Sequence, residues 1–89
     1  MLFMLSVEQK ARLRWHCRRG MLELDLLLVD FLDVYVDVFT DEQFCAFETL
    51  LEASDPSIYS WLIGYETPPD AALRSIVDEI AAYHNTKKL

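Results

Sequence analysis

Helix start signals divide this sequence into segments whose apolar residues recur at helical spacing, and they constrain the fold more than any other feature. Ser6 and Thr40 each stand three residues before a glutamine, Gln9 or Gln43. This is the capping-box pattern, in which the hydroxyl and the glutamine side chain each satisfy an unpaired backbone amide. Only 2 Gly and 3 Pro interrupt the 89 residues. The sequence therefore predicts an all-α protein, a compact five-helix bundle in a single domain.

The predicted helices follow one another with short connections, and we place them over residues 7–18, 21–39, 40–53, 55–64 and 67–84. Asp55 and Pro56 read as an N-cap followed by proline at the first helical position. Gly20 interrupts the first two helices, and Gly64 is expected to close the fourth. The polar tail from Asn85 onward is expected to fray. The single domain thus spans residues 1–89, with an ordered core at about residues 6–84.

The second segment allows two interpretations. Residues 33–39 are rich in β-branched side chains and partly alternate in polarity, so a strand is an alternative. On a helix, however, four acids fall within one arc of about 80°. These acids are Glu23, Asp30, Asp33 and Asp37. We interpret them as the solvated stripe of a central, mostly buried helix. Pairing with Arg14 or Arg18 is a second possibility, and a cation site a third, although no Asp-x-Asp-x-Asp loop supports it.

Charge is distributed unevenly along the chain. The 15 acids and 8 cations give a net charge of −7, which argues against general nucleic-acid binding. The first twenty residues nevertheless contain five cations against Glu8 alone. Three of them, Lys10, Arg14 and Arg18, recur every four residues and predict a basic ridge. An apolar stripe of Val7, Ala11 and Trp15 is expected beside this ridge.

No group of residues predicts catalysis or a metal site. The sequence contains no serine elbow, no HExxH and no glycine-rich phosphate loop. Cys17 and Cys45 form no metal-binding spacing and are expected to be reduced thiols. Neighbouring His16 does not face Cys17 on a helix, and His84 is expected to be solvated near a helix end. We expect no catalytic residue, no metal and no enzyme activity.

The apolar runs are too short for targeting or membrane insertion. The first five residues are apolar but have neither the length nor the basic flank of a signal peptide. The longest internal run, from Leu26 to Val29, is far below the roughly 20 residues of a membrane span. We therefore expect a cytoplasmic protein that does not insert into membranes.

The segment from Arg18 to Glu23 is the strongest local signal. In a purely structural interpretation, Gly20 ends one helix and Glu23 caps the next, where a carboxylate favours the positive helix end. In a functional interpretation, a glycine at an exposed corner lets another backbone approach closely. The flanking arginines then offer planar donors to carboxylates or phosphates of a partner.

A family resemblance favours the functional interpretation. The stretch from Arg14 to Asp25, RWHCRRGMLELD, resembles the signature of the SdhE family, the succinate dehydrogenase assembly factors that promote covalent flavin attachment. The Arg-Gly-x-x-Glu centre of that signature is matched by Arg19, Gly20 and Glu23. Similar segments follow in the same order: FETLLE at 47–52, DPSIYSWL at 55–62 and PPDAAL at 68–73. The resemblance covers nearly the whole chain, with no departure inside the motif.

The resemblance implies a five-helix bundle that binds the flavoprotein subunit of succinate dehydrogenase or fumarate reductase. It would promote covalent attachment of FAD to a histidine of that subunit, and would itself hold no cofactor, because it lacks a dinucleotide fingerprint. We expect a monomer. The partner-binding residues carried over from the family are Arg12, Trp15, Arg19, Gly20, Met21, Glu23 and Asp25.

Each carried-over residue has an expected role. Arg12 and Arg19 would donate charge-assisted hydrogen bonds to the partner. Gly20 would permit close approach, Glu23 would fix the corner, and Asp25 would anchor an arginine of the first helix. An antitoxin-like module that neutralises a toxin partner is the alternative function, since members of the family have also been described in that role. That function would use the acidic stripe of the second helix.

Overall fold

The computed structural model describes residues 6–87, with side chains as far as Asn85. It contains five α-helices, α1 (Val7–His16), α2 (Leu22–Tyr35), α3 (Asp41–Leu51), α4 (Asp55–Leu62) and α5 (Ala71–Lys87). A 3₁₀ turn, Val36–Val38, follows α2. The predicted all-α five-helix architecture is confirmed, and no strand occurs within residues 6–87.

Both predicted capping boxes form. The Ser6 and Thr40 hydroxyls accept hydrogen bonds from the backbone N–H groups of Gln9 and Gln43, and each glutamine side chain accepts one in return. The prediction for α4 is wrong by one residue. Its N-cap is Ser54, whose hydroxyl accepts from the Ser57 amide, and Asp55 is the first helical residue. Ser54 is the N-cap because its hydroxyl can reach the Ser57 amide. The Asp55 carboxylate is therefore available to another partner.

Other helix boundaries also differ from the prediction, among them the start of α5, which lies at Ala71 and not at residue 67. We predicted that the second helix continues to Phe39, but α2 ends at Tyr35 and tightens into the 3₁₀ turn. Alternating valines at positions 34, 36 and 38 explain this, because β-branched side chains crowd the preceding helical turn. The last helix, predicted to end at residue 84, continues as α5 to Lys87, and the last two residues of the tail predicted to fray lie outside the described residues.

An aromatic cluster from three segments forms the centre of the core. The Phe31 ring centroid on α2 lies 6.1 Å from that of Phe39 and 6.2 Å from that of Phe47 on α3. Helix α5 packs against α2, α3 and α4 and adds Ile76 and Ile80 to this core. Burial of each such side chain contributes about 1.5–3 kcal/mol. Within residues 6–87, no helix has the length and apolar content to cross a membrane.

Helix α1 lies on the outside of the bundle. Its buried residue is Leu13, and Cys17 follows at the C-cap. The predicted apolar stripe is exposed, with Val7 84% and Trp15 71% accessible. Such an outward-facing apolar stripe is available to a partner.

Acids of α2 and of the 3₁₀ turn after it pair with cations of α1. Lys10 pairs with Asp37, and Arg14 pairs with Asp33, so the two helices run antiparallel along this seam. Pairing with α1, one of our alternatives, is therefore confirmed for Asp33 through Arg14. The interpretation of this helix as mostly buried outside its acidic stripe is wrong, since Leu22 is 72% and Leu26 55% accessible. No group of three or more His, Cys, Asp or Glu side chains suited to a metal occurs in the described part of the chain.

Candidate functional site

The candidate site is the corner between α1 and α2, which we define as residues 18–21. Helix α1 ends at Cys17, and the N–H of Arg18 still donates to the carbonyl of Trp15 at 3.1 Å. Gly20 then adopts a φ of +82°, a left-handed conformation that favours glycine. Met21 is the extended N-cap of α2, and its carbonyl accepts the Asp25 amide at 2.9 Å. The chain therefore reverses over four residues.

Gly20 occupies the exposed tip of the corner. A Cβ atom built there would meet nothing within 4 Å. The glycine is therefore required by its backbone conformation and not by crowding within this chain. An open, side-chain-free tip is what a closely approaching partner backbone needs.

Arg19 points inward from the corner. Its side chain is only 17% exposed. The Nε donates to Asp55 Oδ1 at 2.7 Å, Nη1 to the Leu51 carbonyl at 2.6 Å, and Nη2 to the Ala53 carbonyl at 2.9 Å. A longer bond of 3.3 Å joins Nη1 to the His16 carbonyl. The guanidinium therefore lies where the carboxyl ends of α1 and α3 meet the start of α4.

We expected Arg19 to donate hydrogen bonds to a partner, whereas its side chain donates them within the chain. A guanidinium has five N–H donors, and that of Arg19 makes four hydrogen bonds within the chain. Carbonyls at helix carboxyl ends favour a cation, which explains why this arginine turns inward. The geometry assigns Arg19 to holding the corner from within and leaves little of it for a partner.

Asp25 holds the backbone of the same arginine. Its Oδ1 accepts the Arg19 backbone N–H at 2.5 Å, and its side chain lies in the first turn of α2. We expected Asp25 to anchor an arginine of the first helix, and the contact is made through the backbone and not through the guanidinium. Arg19 is thus fixed at both ends, which restrains the neighbouring Gly20.

Glu23 connects the corner to α4. Its Oε2 accepts the Tyr59 hydroxyl at 2.8 Å. This bond and the negative charge of Glu23 raise the pKa of the Tyr59 hydroxyl above its ordinary value. The predicted capping role is wrong, because α2 has no side-chain cap. Glu23 nevertheless remains exposed in the first turn of α2.

Arg12 and Trp15 extend the site along α1. They are three residues apart, both are exposed, and they share one face of the helix. Trp15 also borders a groove of about 590 Å³ between α1 and α3, whose far wall carries Glu48 and Glu52. A large exposed aromatic ring beside a groove is typical of a binding anchor.

The structure separates neutralised cations from available ones. Lys10, Arg14 and Arg19 each pair with an acid of the chain. Arg12 and Arg18 make no ion pair with any residue in the described part and are exposed. The positive charge that a partner meets near the corner therefore comes from Arg12 and Arg18, and Arg18 was not among the predicted site residues.

The seven predicted residues surround one corner but face different directions. Arg12, Trp15, Gly20 and Glu23 are exposed, whereas Met21 packs partly against the core. Arg19 and Asp25 brace the corner from inside. The sequence reasoning missed Asp55 as the partner of Arg19. The available signal was its place after Ser54, since a hydroxyl one residue earlier can take the capping role.

Cys17, which follows α1 directly before the corner, lacks the features of a reactive nucleophile. Cys17 is fully buried, and burial raises the pKa of its thiol to about 12. It therefore stays protonated and unreactive at neutral pH. His84, expected to be solvated, is half-buried, and its Nε2 lies 2.8 Å from the Leu27 carbonyl. The corner is an exposed surface that presents charged and aromatic side chains.

Comparisons with known proteins agree with this geometry. Residues 11–84 match the model of a family described as the flavinator of succinate dehydrogenase. The chain is 43% identical over 86 residues to a protein of Aliivibrio fischeri named FAD assembly factor SdhE, covering 97% of this chain and 99% of that one. A protein of Legionella pneumophila with the same name is 50% identical over 68 residues, which are 76% of this chain and 86% of that one.

A solved structure has the same fold. The solution structure of a UPF0350 protein superposes with a TM-score of 0.80 at 39% identity. The match covers 94% of this chain and 89% of that one. The helix arrangement described above is therefore shared with an independently solved protein.

Proposed function

Because the chain belongs to the succinate dehydrogenase flavinator family, a family of assembly factors and not of enzymes, we propose that it promotes covalent attachment of FAD to the flavoprotein subunit of succinate dehydrogenase. It would act in the cytoplasm, with the flavoprotein subunit of fumarate reductase as a second client. It would dock through the α1–α2 corner and hold no FAD of its own.

The single observation that carries this proposal is the open tip at Gly20. It is exposed, a Cβ atom there would meet nothing within 4 Å, and Arg18 nearby and Arg12 farther along α1 make no ion pair among the described residues. Trp15 supplies an apolar anchor on the same side of α1. Close backbone approach, charge and an aromatic anchor together are what a protein-docking site requires.

The partner and this chain would contribute different parts of the reaction. The flavin and a histidine of the partner supply the bond-forming chemistry. This chain supplies geometry, because it holds the partner so that the two reacting groups meet, and proximity alone lowers a reaction barrier substantially. Arg12 and Arg18 steer and orient the partner, Trp15 anchors it, and Glu23 offers an acceptor at the contact.

The antitoxin-like alternative has less support from the geometry. It would use the acidic stripe of α2, but Asp33 and Asp37 are paired with cations of α1 in this chain. A basic partner would have to displace those cations.

The proposal is tested by measuring covalent flavin directly. Flavoprotein subunit purified without its cofactor is incubated with FAD, with and without this protein, and run on a denaturing gel. We expect flavin fluorescence in the subunit band to increase severalfold when the protein is present. Equal fluorescence in both lanes would contradict the proposal, and heat-unfolded protein serves as the control for nonspecific effects.

A further inference from the structure

We propose that Asp55 is a positioning residue for docking, which holds the corner in its binding shape through Arg19. This inference rests on the proposed function but adds a residue outside the family signature. Asp55 lies 36 positions beyond Arg19 in sequence and at the start of a different helix. It reaches the corner only through the inward-pointing guanidinium.

The first step of the argument is the position of Asp55. Ser54 caps α4, so the Asp55 side chain has no capping role there. The carboxylate is only 33% exposed and lies 2.7 Å from Arg19 Nε. A negative charge in the first turn of a helix is favourable, so α4 stabilises the charge that holds Arg19.

The second step concerns what Asp55 adds to the other contacts of Arg19. The Leu51 and Ala53 carbonyls accept from the guanidinium but carry only partial negative charge. Asp55 supplies the one full countercharge to Arg19 in the described residues. Removal of one partner from such a covered pair leaves the other charge uncompensated, which favours withdrawal of the guanidinium toward water.

The third step connects the pair to the tip. Arg19 is bonded through its side chain to Asp55 and through its backbone N–H to Asp25. Gly20 is the next residue, and nothing within 4 Å of its Cβ position restrains it from the outside. The conformation of the tip therefore depends on how firmly Arg19 is held, and loss of Asp55 removes the charged contact of its side chain while the contacts with the carbonyls remain.

The test compares Asp55→Asn with a matched control, Asp41→Asn. Asp41 is the first residue of α3, after the N-cap Thr40, so it has the same helix position as Asp55 but no ion pair among the described residues. Two quantities are measured for each variant: amide hydrogen exchange at Arg19, Gly20 and Met21, and the dissociation constant for the flavoprotein subunit. Exchange at the α5 amides reports global stability.

We expect Asp55→Asn to accelerate exchange of the Arg19 amide by about tenfold relative to α5 and to weaken binding by about tenfold. Asp41→Asn should change neither quantity by more than about twofold. Asp55→Glu, which keeps the charge, should recover part of the binding. These results would separate a local effect on the corner from general destabilisation.

Two results would overturn the inference. One is exchange at Arg19 and Gly20 that stays unchanged in Asp55→Asn, and the other is an equal loss of binding in Asp41→Asn. Failure of the unaltered protein to bind the flavoprotein would overturn the proposed function instead. In that case, faster exchange at the corner would still establish that Asp55 restrains it.

Discussion

Arg18 and Arg19 are adjacent in sequence but have opposite environments. Arg18 is exposed, whereas the Arg19 guanidinium is enclosed by helix carboxyl ends and Asp55. The sequence indicated a cationic corner but did not distinguish these two residues, because three of the four acceptors of the Arg19 guanidinium lie 32 to 36 positions away. The exposed glycine at the tip was predictable, since its position between two helical patterns is a local property.

The different environments of Arg12 and Arg19 lead to opposite expected effects of substitution. Arg12→Gln should leave the free energy of unfolding within about 0.5 kcal/mol of its original value, because the side chain is exposed and unpaired. It should weaken flavoprotein binding several-fold by removing a steering charge. Arg19→Gln should lower the free energy of unfolding by about 2 kcal/mol, because it breaks a largely covered network.

Urea unfolding and a binding titration measure these two quantities. Arg74→Gln is the control, since Arg74 is an exposed cation on α5. Equal destabilisation by the Arg12 and Arg19 substitutions would contradict the assigned environments.

Because Cys17 is buried, we expect the free energy of unfolding to fall as the pH rises in the alkaline range. Burial raises its pKa from 9.0 to about 12, so the folded chain retains a proton that the unfolded chain loses. The resulting contribution to stability is complete below pH 9 and is lost as pH rises toward 12. The slope reaches at most about 1.4 kcal/mol per pH unit. The urea midpoints at pH 8 and pH 10.5 should differ less in Cys17→Ala than in the unaltered protein. An equal difference in both proteins would contradict the assignment of this pH dependence to Cys17.

At the scale of elements, local signals predicted helix starts better than helix ends. Two capping boxes formed as expected because hydroxyl and glutamine lie within one turn of each other. The end of α2 was not predicted correctly, and the sequence left open whether the Val7 and Trp15 stripe faces the core or the solvent. The direction of that stripe depends on which face of α1 the core covers, and Leu13 and Cys17 occupy that face.

The seam between α1 and α2 provides a test at this scale. Asp33→Asn and Asp37→Asn should each lower the free energy of unfolding by less than about 1 kcal/mol, because these ion pairs are half exposed. Covalent flavin attachment should be unchanged in the denaturing-gel assay. Loss of flavin attachment with unchanged stability would instead indicate that the functional surface is the acidic stripe.

For the whole molecule, the core and the docking surface that we propose lie in different elements. The aromatic core around Phe31 and Phe47 lies among α2, α3 and α5, whereas the proposed docking surface comprises residues of α1 and the corner. Charge follows the same division, since the cations in the first twenty residues contrast with the acidic remainder of the chain. A small bundle can therefore tolerate an exposed glycine and an exposed tryptophan at one edge without loss of its core.

The most direct test of the account compares Gly20→Arg with Gly64→Arg. Both glycines have a φ of +82° with open space around them, so both substitutions cost about 1–3 kcal/mol of backbone strain. Only Gly20 lies at the corner. We predict that Gly20→Arg abolishes covalent flavin attachment to the flavoprotein subunit, while Gly64→Arg retains it at similar thermal stability. Full flavin attachment with folded Gly20→Arg would contradict docking through this corner.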